Sequence, residues 1–179
     1  MNGSPRNQPE SEPGALMKFT IRRVRESDGM KIIGIFNHYV EHSFSAYPVE
    51  STTLRFFDRL RNMTCGQAFY VIEGDTAEVV GFGLLKEHHH ASAFSKTAEM
   101  AYFIAPAYLH RGLGTMLMDA LIEEARKMGI TTLLASFSSQ DEGIIAFHRR
   151  RGFAECGRFE RIGRKFGKEF DVVWMQKFI

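Results

Sequence analysis

The chain has 179 residues, of which 44% are hydrophobic and 25% charged, with a formal net charge of +2. That length fits one domain around one core, and the balance of charge offers no footprint for nucleic acid or an anionic membrane as a partner. No apolar run approaches the roughly 20 residues that a membrane span requires.

Residues 1–16 contain three of the chain's five prolines and are otherwise mostly polar or small. They are expected to form a disordered extension ahead of one domain at 17–179. They lack the apolar core and cleavage pattern of a secretory signal. Cys65 and Cys156 stand far apart in no metal or redox spacing. This points to free thiols in a reducing, cytoplasmic setting.

In chain order, "KFTIRRV" alternates and predicts a strand at 18–24. "ESDGMKIIGIFNHYVEHS" predicts a helix, with Ser27 and Asp28 as capping candidates and Ile32, Ile33, Ile35, Phe36, Tyr39 and Val40 at helical spacing. A second helix is expected over "STTLRFFDRLRNM", beyond Pro48. "AFYVIEGDTAEVVGFGLLKE" reads as two strands around a turn at Gly74–Asp75, and "KTAEMAYFIA" as a fourth strand, buried on both faces.

The next helix carries Leu113, Leu117, Met118, Leu121, Ile122 and Ala125 on one face, and Gly129 closes it after Arg126 and Lys127. "TTLLASFS" is strand five, "QDEGIIAFHRRRGF" a helix ending at Gly152, and the remainder two strands that pair. The order is β-α-α-β-β-β-α-β-α-β-β. It implies an α/β fold with a mixed, mostly antiparallel sheet of about seven strands and helices on both faces. Strict β-α alternation, a dinucleotide fingerprint and a Walker loop are all missing.

Gly112 and Gly114 stand where the third helix begins, although glycine is a poor helix former. One reading is a tight turn. The other is an anion site, because the first turn of a helix has unpaired N–H groups and a partial positive charge. Side chains on the approach would block a phosphate. His110 and Arg111 add positive character beside it.

The segment from Glu99 to Gly129 resembles motif A of the GCN5-related N-acetyltransferases (GNAT), whose turn reads Gln/Arg-x-x-Gly-x-Gly/Ala. Here the turn is Leu109-His110-Arg111-Gly112-Leu113-Gly114. "IIAFHRRRGF" resembles motif B, and the element order agrees over residues 18–177. "RFERIGRKFGKEFDVVWMQK" and "IFNHYVEHSFSAY" are similar to the phosphinothricin acetyltransferase branch, which acylates small amino-acid-like amines.

The resemblance implies acetyl-CoA as cosubstrate; no metal is expected, since no ligand set at metal spacing accompanies the adjacent histidines His88–His90. Its pyrophosphate would lie on the helix start, from Leu109 through Thr115. Its pantetheine arm would lie along the backbone of Tyr102, Phe103 and Ile104, with an oxyanion donor near Phe103. Phe147 belongs to motif B, and Arg149 or Arg150 would meet the 3′-phosphate. Leu109 and Asp141 depart from the family pattern, which has Gln or Arg and often Asn there. A small amine is the implied acceptor, and a homodimer the implied assembly.

Acetylation of an amine needs a proton acceptor, donors for an oxyanion and a proton for the departing thiolate. Glu99, a carboxylate in an apolar strand, is the candidate base, and the branch assigns that role to the matching Glu. His148 would act as acid or second base by the same resemblance. Phe44 and Tyr47 are expected to line the acceptor pocket. Lys86 either meets an acceptor carboxylate or is solvated. The run His88–His90 is expected to be a rim loop rather than a metal site. Polyamines, aminoglycosides and protein N-termini are the other amine acceptors, and an acyl-CoA-binding module without turnover is the reading from a different class.

Overall fold

A computed structural model describes residues 17–179; the extension expected at 1–16 lies outside the described residues. The described residues form seven strands: β1 (Thr20–Arg23), β2 (Thr64–Glu73), β3 (Val79–Glu87), β4 (Thr97–Ile104), β5 (Thr132–Ser138), β6 (Ala154–Lys165) and β7 (Lys168–Phe178). Four α-helices join them: α1 (Gly29–His42), α2 (Leu54–Met63), α3 (Leu113–Lys127) and α4 (Glu142–Arg150). The chain order is the one its periodicities predict. The strands form one sheet in the order β1-β2-β3-β4-β5-β7-β6. Every pairing is antiparallel except β4 with β5.

Helix starts differ from expectation in detail. Asp28 precedes α1 but makes no capping bond with its side chain. Its carboxylate is buried and accepts from Arg22 Nη1 and Nη2 at 2.7 and 2.9 Å, and from the Arg25 N–H at 2.7 Å. Burial alone would raise this carboxyl, but the Arg22 and Arg25 bonds outweigh it and hold the group below its ordinary value. The charge that sequence assigns to a cap therefore ties β1 to α1.

Each sheet face has its own core. On one, Leu113, Leu117, Met118, Leu121, Ile122 and Ala125 of α3 pack with Ala98, Met100 and Ile104 of β4, Leu133 and Ala135 of β5, and Ile145 of α4. On the other, α1 and α2 bring Ile32, Phe36, Val40 and Phe57 against Phe69, Phe82 and Leu84, with Phe103 at the edge. The period of two along β4 thus sends Ala98, Met100 and Ile104 to the α3 face. Glu99, Ala101 and Phe103 go to the α1 face.

β3 is buried from Val79 through Leu85 and carries two glycines. At Gly83 the reason is space. A Cβ there would lie 2.7 Å from Tyr102 Cβ, 3.0 Å from Leu121 Cδ1 and 3.1 Å from Leu117 Cδ2. Gly83→Ala should therefore destabilise the fold by about 1–3 kcal/mol through overpacking. A lower urea midpoint at unchanged m-value is the expected reading; an unmoved midpoint would mean that α3 does not press on β3 this closely.

Candidate active site

β4 and β5 are paired only at their first three residues, Thr97–Thr132, Ala98–Leu133 and Glu99–Leu134. Beyond that point no pairing joins them, and a gap opens toward the C-terminal ends of both strands. The backbone of β4 faces this gap at alternate residues. Ala105 N–H donates to Val80 O on β3 at 2.7 Å, and Lys96 O accepts from Thr132 N–H on the β5 side at 3.1 Å. Alternation turns Ala101 and Phe103 toward β3, and Tyr102 and Ile104 toward the gap. The open N–H donors are thus those of Tyr102 and Ile104, whereas the donor expected at Phe103 is directed at β3. Ile104 O accepts from Tyr39 Oη of α1 at 2.6 Å.

The turn before α3 lies at the end of β4. Gly112 is its N-cap, with φ of +79°, in the left-handed region that favours glycine. No atom lies within 4 Å of the Cβ position at Gly112, and at Gly114 the nearest is Tyr102 Cε2 at 3.7 Å. The space over the first turn is therefore open, as an anion site requires. Leu109, His110 and Arg111 are exposed around it, Leu113 anchors the turn in the core, and Thr115 is half-buried. Arg111 lies over the Tyr108 ring, 5.2 Å from its centroid. Arg150 is exposed on α4 and makes no ion pair among the described residues.

Glu99 sits at the last paired position of β4, on the α1 face. Its Oε2 is 2.5 Å from Lys86 Nζ, directly opposite on β3, and its Oε1 is 2.9 Å from His88 Nδ1. Its side chain is 13% exposed, while those of Lys86 and His88 are 36% and 32% exposed, so the carboxylate is the buried member of the cluster. Lys86 is thereby engaged by Glu99, while its side chain stays partly exposed. His89 packs on Phe94, and His90 meets Glu87 at the surface. Among the described residues, no three His, Cys, Asp or Glu side chains converge as a metal-binding group.

His148 lies on the other face and is 1% exposed. Its Nδ1 donates to Ile144 O at 2.9 Å, because a carbonyl can only accept. Nε2 is then the acceptor, and Tyr102 Oη donates to it at 3.1 Å. Phe137, Phe147 and Phe153 enclose the ring, at 4.3, 5.4 and 5.3 Å between centroids. Burial lowers its pKa to about 4 and raises that of the Tyr102 phenol. The expected role of acid or second base fits this setting poorly: both nitrogens are engaged, and the ring is neutral and closed off from solvent.

The loop after α1 covers the α1 face beside the gap. Phe44 meets Phe166 and Phe170 edge-on at 5.4 and 5.6 Å, and Tyr47 stacks on Phe170 at 6.0 Å. Asp141 makes no side-chain cap bond on α4; it accepts from Ser45 Oγ of this loop at 3.0 Å. Burial pushes its carboxyl up, against the Ser45 bond. Lys165, 3% exposed, donates through Nζ to Ser43 O at 2.7 Å and Ala46 O at 2.6 Å. Sequence reasoning missed Lys165, Tyr39, Ser45 and the part played by His88, since each acquires its partner only through distant contacts. The register of β3 on β4 would have flagged the Lys86–Glu99 pair.

The acetyltransferase (GNAT) family model matches residues 32–153, well over half the chain. An L-methionine sulfoximine/L-methionine sulfone acetyltransferase of Salmonella typhimurium is 28% identical over 88% of this chain and 92% of its own. A phosphinothricin N-acetyltransferase of Alcaligenes faecalis is 28% identical over 88% and 81%. Among solved structures, yncA of Salmonella typhimurium with its cofactor acetyl-CoA has a TM-score of 0.80. It is 27% identical, with 90% of this chain and 94% of that one covered.

The buried imidazole makes stability depend on pH. With a folded-state pKa of about 4 against an ordinary 6.5, the unfolded chain takes up the proton first as pH falls. This contribution is fully present above pH 6.5, declines between 6.5 and about 4, and amounts to about 3 kcal/mol. Urea midpoints should fall across that window in the wild type, and His148→Gln should lose this part of the fall. Parallel curves for the two proteins would contradict a neutral, buried His148.

Proposed function

The chain belongs to the acetyltransferase (GNAT) family and is an N-acetyltransferase, and on that premise we propose that it moves the acetyl group of acetyl-CoA to the α-amine of a small amino-acid-like acceptor. Acceptors of the methionine sulfone, methionine sulfoximine and phosphinothricin type are preferred, in keeping with the activities that name two relatives. The residues fit acetyl-CoA. The open N–H groups of Tyr102 and Ile104 would take the pantetheine arm, as an added strand would. The first turn from Gly112 to Thr115, with His110 and Arg111, would hold the pyrophosphate, and Arg150 the 3′-phosphate. Leu109 offers no polar group to it, which leaves the backbone as the main anchor.

The position of Glu99 carries this reading. It stands where β4 and β5 part, desolvated, on the face opposite α3. An ammonium held under Phe44 and Tyr47 would approach from that face. Glu99 supplies the negative charge that draws off its proton, in contact or through one intervening group. The released amine attacks the thioester carbonyl, whose oxygen the open β4 N–H donors stabilise. His148 acts as a positioning residue that holds Tyr102 beside the gap. A cytoplasmic enzyme accords with two free thiols. A homodimer accords with Phe159, Ile162 and Phe166, all more than half exposed on or beside the edge strand β6.

Thiol release from acetyl-CoA should be seen with methionine sulfone, methionine sulfoximine or phosphinothricin and not with spermidine or a short peptide; the reverse pattern would overturn the acceptor class. Glu99→Gln should lower kcat by about 10²–10⁴-fold while leaving acetyl-CoA affinity nearly unchanged. Loss of folding without loss of turnover per folded molecule would make Glu99 structural.

A further inference from the structure

Both oxygens of Glu99 are already committed, Oε2 to Lys86 and Oε1 to His88. A carboxylate can only accept here, so the proton between Glu99 and His88 belongs to His88 Nδ1. In the neutral ring this leaves the lone pair on Nε2, and no described residue hydrogen-bonds to that atom. The His88 side chain is 32% exposed, whereas Glu99 behind it is 13% exposed. The imidazole is therefore the more accessible of the two.

The surroundings place His88 on the acceptor side of the sheet. Its ring meets Trp174 of β7 at 6.1 Å and Phe94 of the β3–β4 connection at 5.7 Å, edge-on in both cases. Trp174 pairs in register with Ser136 of β5, and Tyr47 stacks on Phe170 of the same strand β7. Strand alternation puts Lys86, Glu99, Leu134, Ser136 and Trp174 on one face. The charged groups facing His88 are Glu99 from β4 and, through the same carboxylate, Lys86 from β3; Trp174 and Phe94 add none.

We propose that His88 Nε2 is the atom that takes the proton from the acceptor ammonium, and that Glu99, fixed by Lys86, orients His88 and balances its positive charge. This rests on the acetyltransferase reading and names the intervening group it left open. The ammonium gives one N–H proton to Nε2, and His88 becomes an imidazolium. The freed nitrogen lone pair forms the C–N bond at the thioester carbonyl while the carbonyl π pair moves to oxygen. That pair returns, the C–S bond breaks, and the thiolate leaves with the sulfur electrons. The second N–H proton neutralises the thiolate as free thiol, and the imidazolium releases its proton to water. Glu99 stays ionised throughout, as the orienting carboxylate of a histidine base does.

The test compares the wild type with His88→Asn, His88→Ala, Glu99→Gln and the double variant His88→Asn/Glu99→Gln. It uses acetyl-CoA and whichever panel amine the wild type acetylates, with acetyl-CoA affinity and the urea midpoint as controls for folding. Expected are a fall in kcat of at least about 100-fold in His88→Asn, with acetyl-CoA affinity retained, and a double variant no slower than the slower single one, because the two act as a unit. Added imidazole should restore part of the activity of His88→Ala and none to Glu99→Gln. The acidic limb of kcat/KM against pH should disappear in His88→Asn. If His88→Asn keeps kcat within a few-fold of the wild type and keeps that limb, or if imidazole gives no rescue, the assignment is overturned while the acetyltransferase reading stands. Failure of the wild type to acetylate any amine overturns that reading, and this assignment with it.

Discussion

The parting of β4 from β5 is the constraint on which the site depends. A parallel pair running its whole length would use all the backbone groups of β4 that face β5. Here pairing ends at Glu99 and Leu134, and the next donors, on Tyr102 and Ile104, face open space. Buried backbone groups without partners are costly, so such an opening persists only where solvent or a ligand fills it. The sheet tolerates it because each strand keeps its other neighbour: β3 holds β4 through Ile104, and β7 holds β5 through Ser138. Tyr39 covers one of the exposed acceptors from α1.

The same strand that opens the gap also separates its two tasks. Alternation along β4 sends Tyr102 toward α3 and the glycine-capped helix start, and Glu99 toward α1 and the aromatic loop. A ligand with phosphates and one with an ammonium can therefore approach from opposite faces and meet at the gap. The electrostatics follow the division. On the α3 side His148 is kept neutral by burial and serves Tyr102 as a hydrogen-bond acceptor. On the α1 side a carboxylate, an ammonium and an imidazole lie together, partly open to solvent.

The loop after α1 owes its position to a buried charge. Lys165 enters from the end of β6 and donates to carbonyls at the C-terminal end of α1 and beyond it, where the helix dipole favours a cation. Burial lowers its pKa, while the nearby Asp141 works in the other direction. Removing one partner from such a group is costly because the other polar atoms remain buried. The aromatic side chains Phe44 and Tyr47 are thus held against Phe170 by a polar clamp as well as by their own contacts.

The order of elements, the apolar face of α3, all six of whose expected residues are buried, and the glycines at its start are legible in the residues alone. These features are local: periodicity, caps and positive φ are decided within a few residues along the chain. Glu99 stood out for a related reason, as a charge inside an apolar strand. Folding brings together the rest: Asp28 binds Arg22, aromatic rings enclose His148, Lys86 and His88 both engage Glu99, and Lys165 reaches a loop 119 residues away. Those outcomes depend on strand register and on which faces are pressed together. A side chain's neighbours across a sheet, and the water it loses there, are set by contacts between segments that no local pattern encodes.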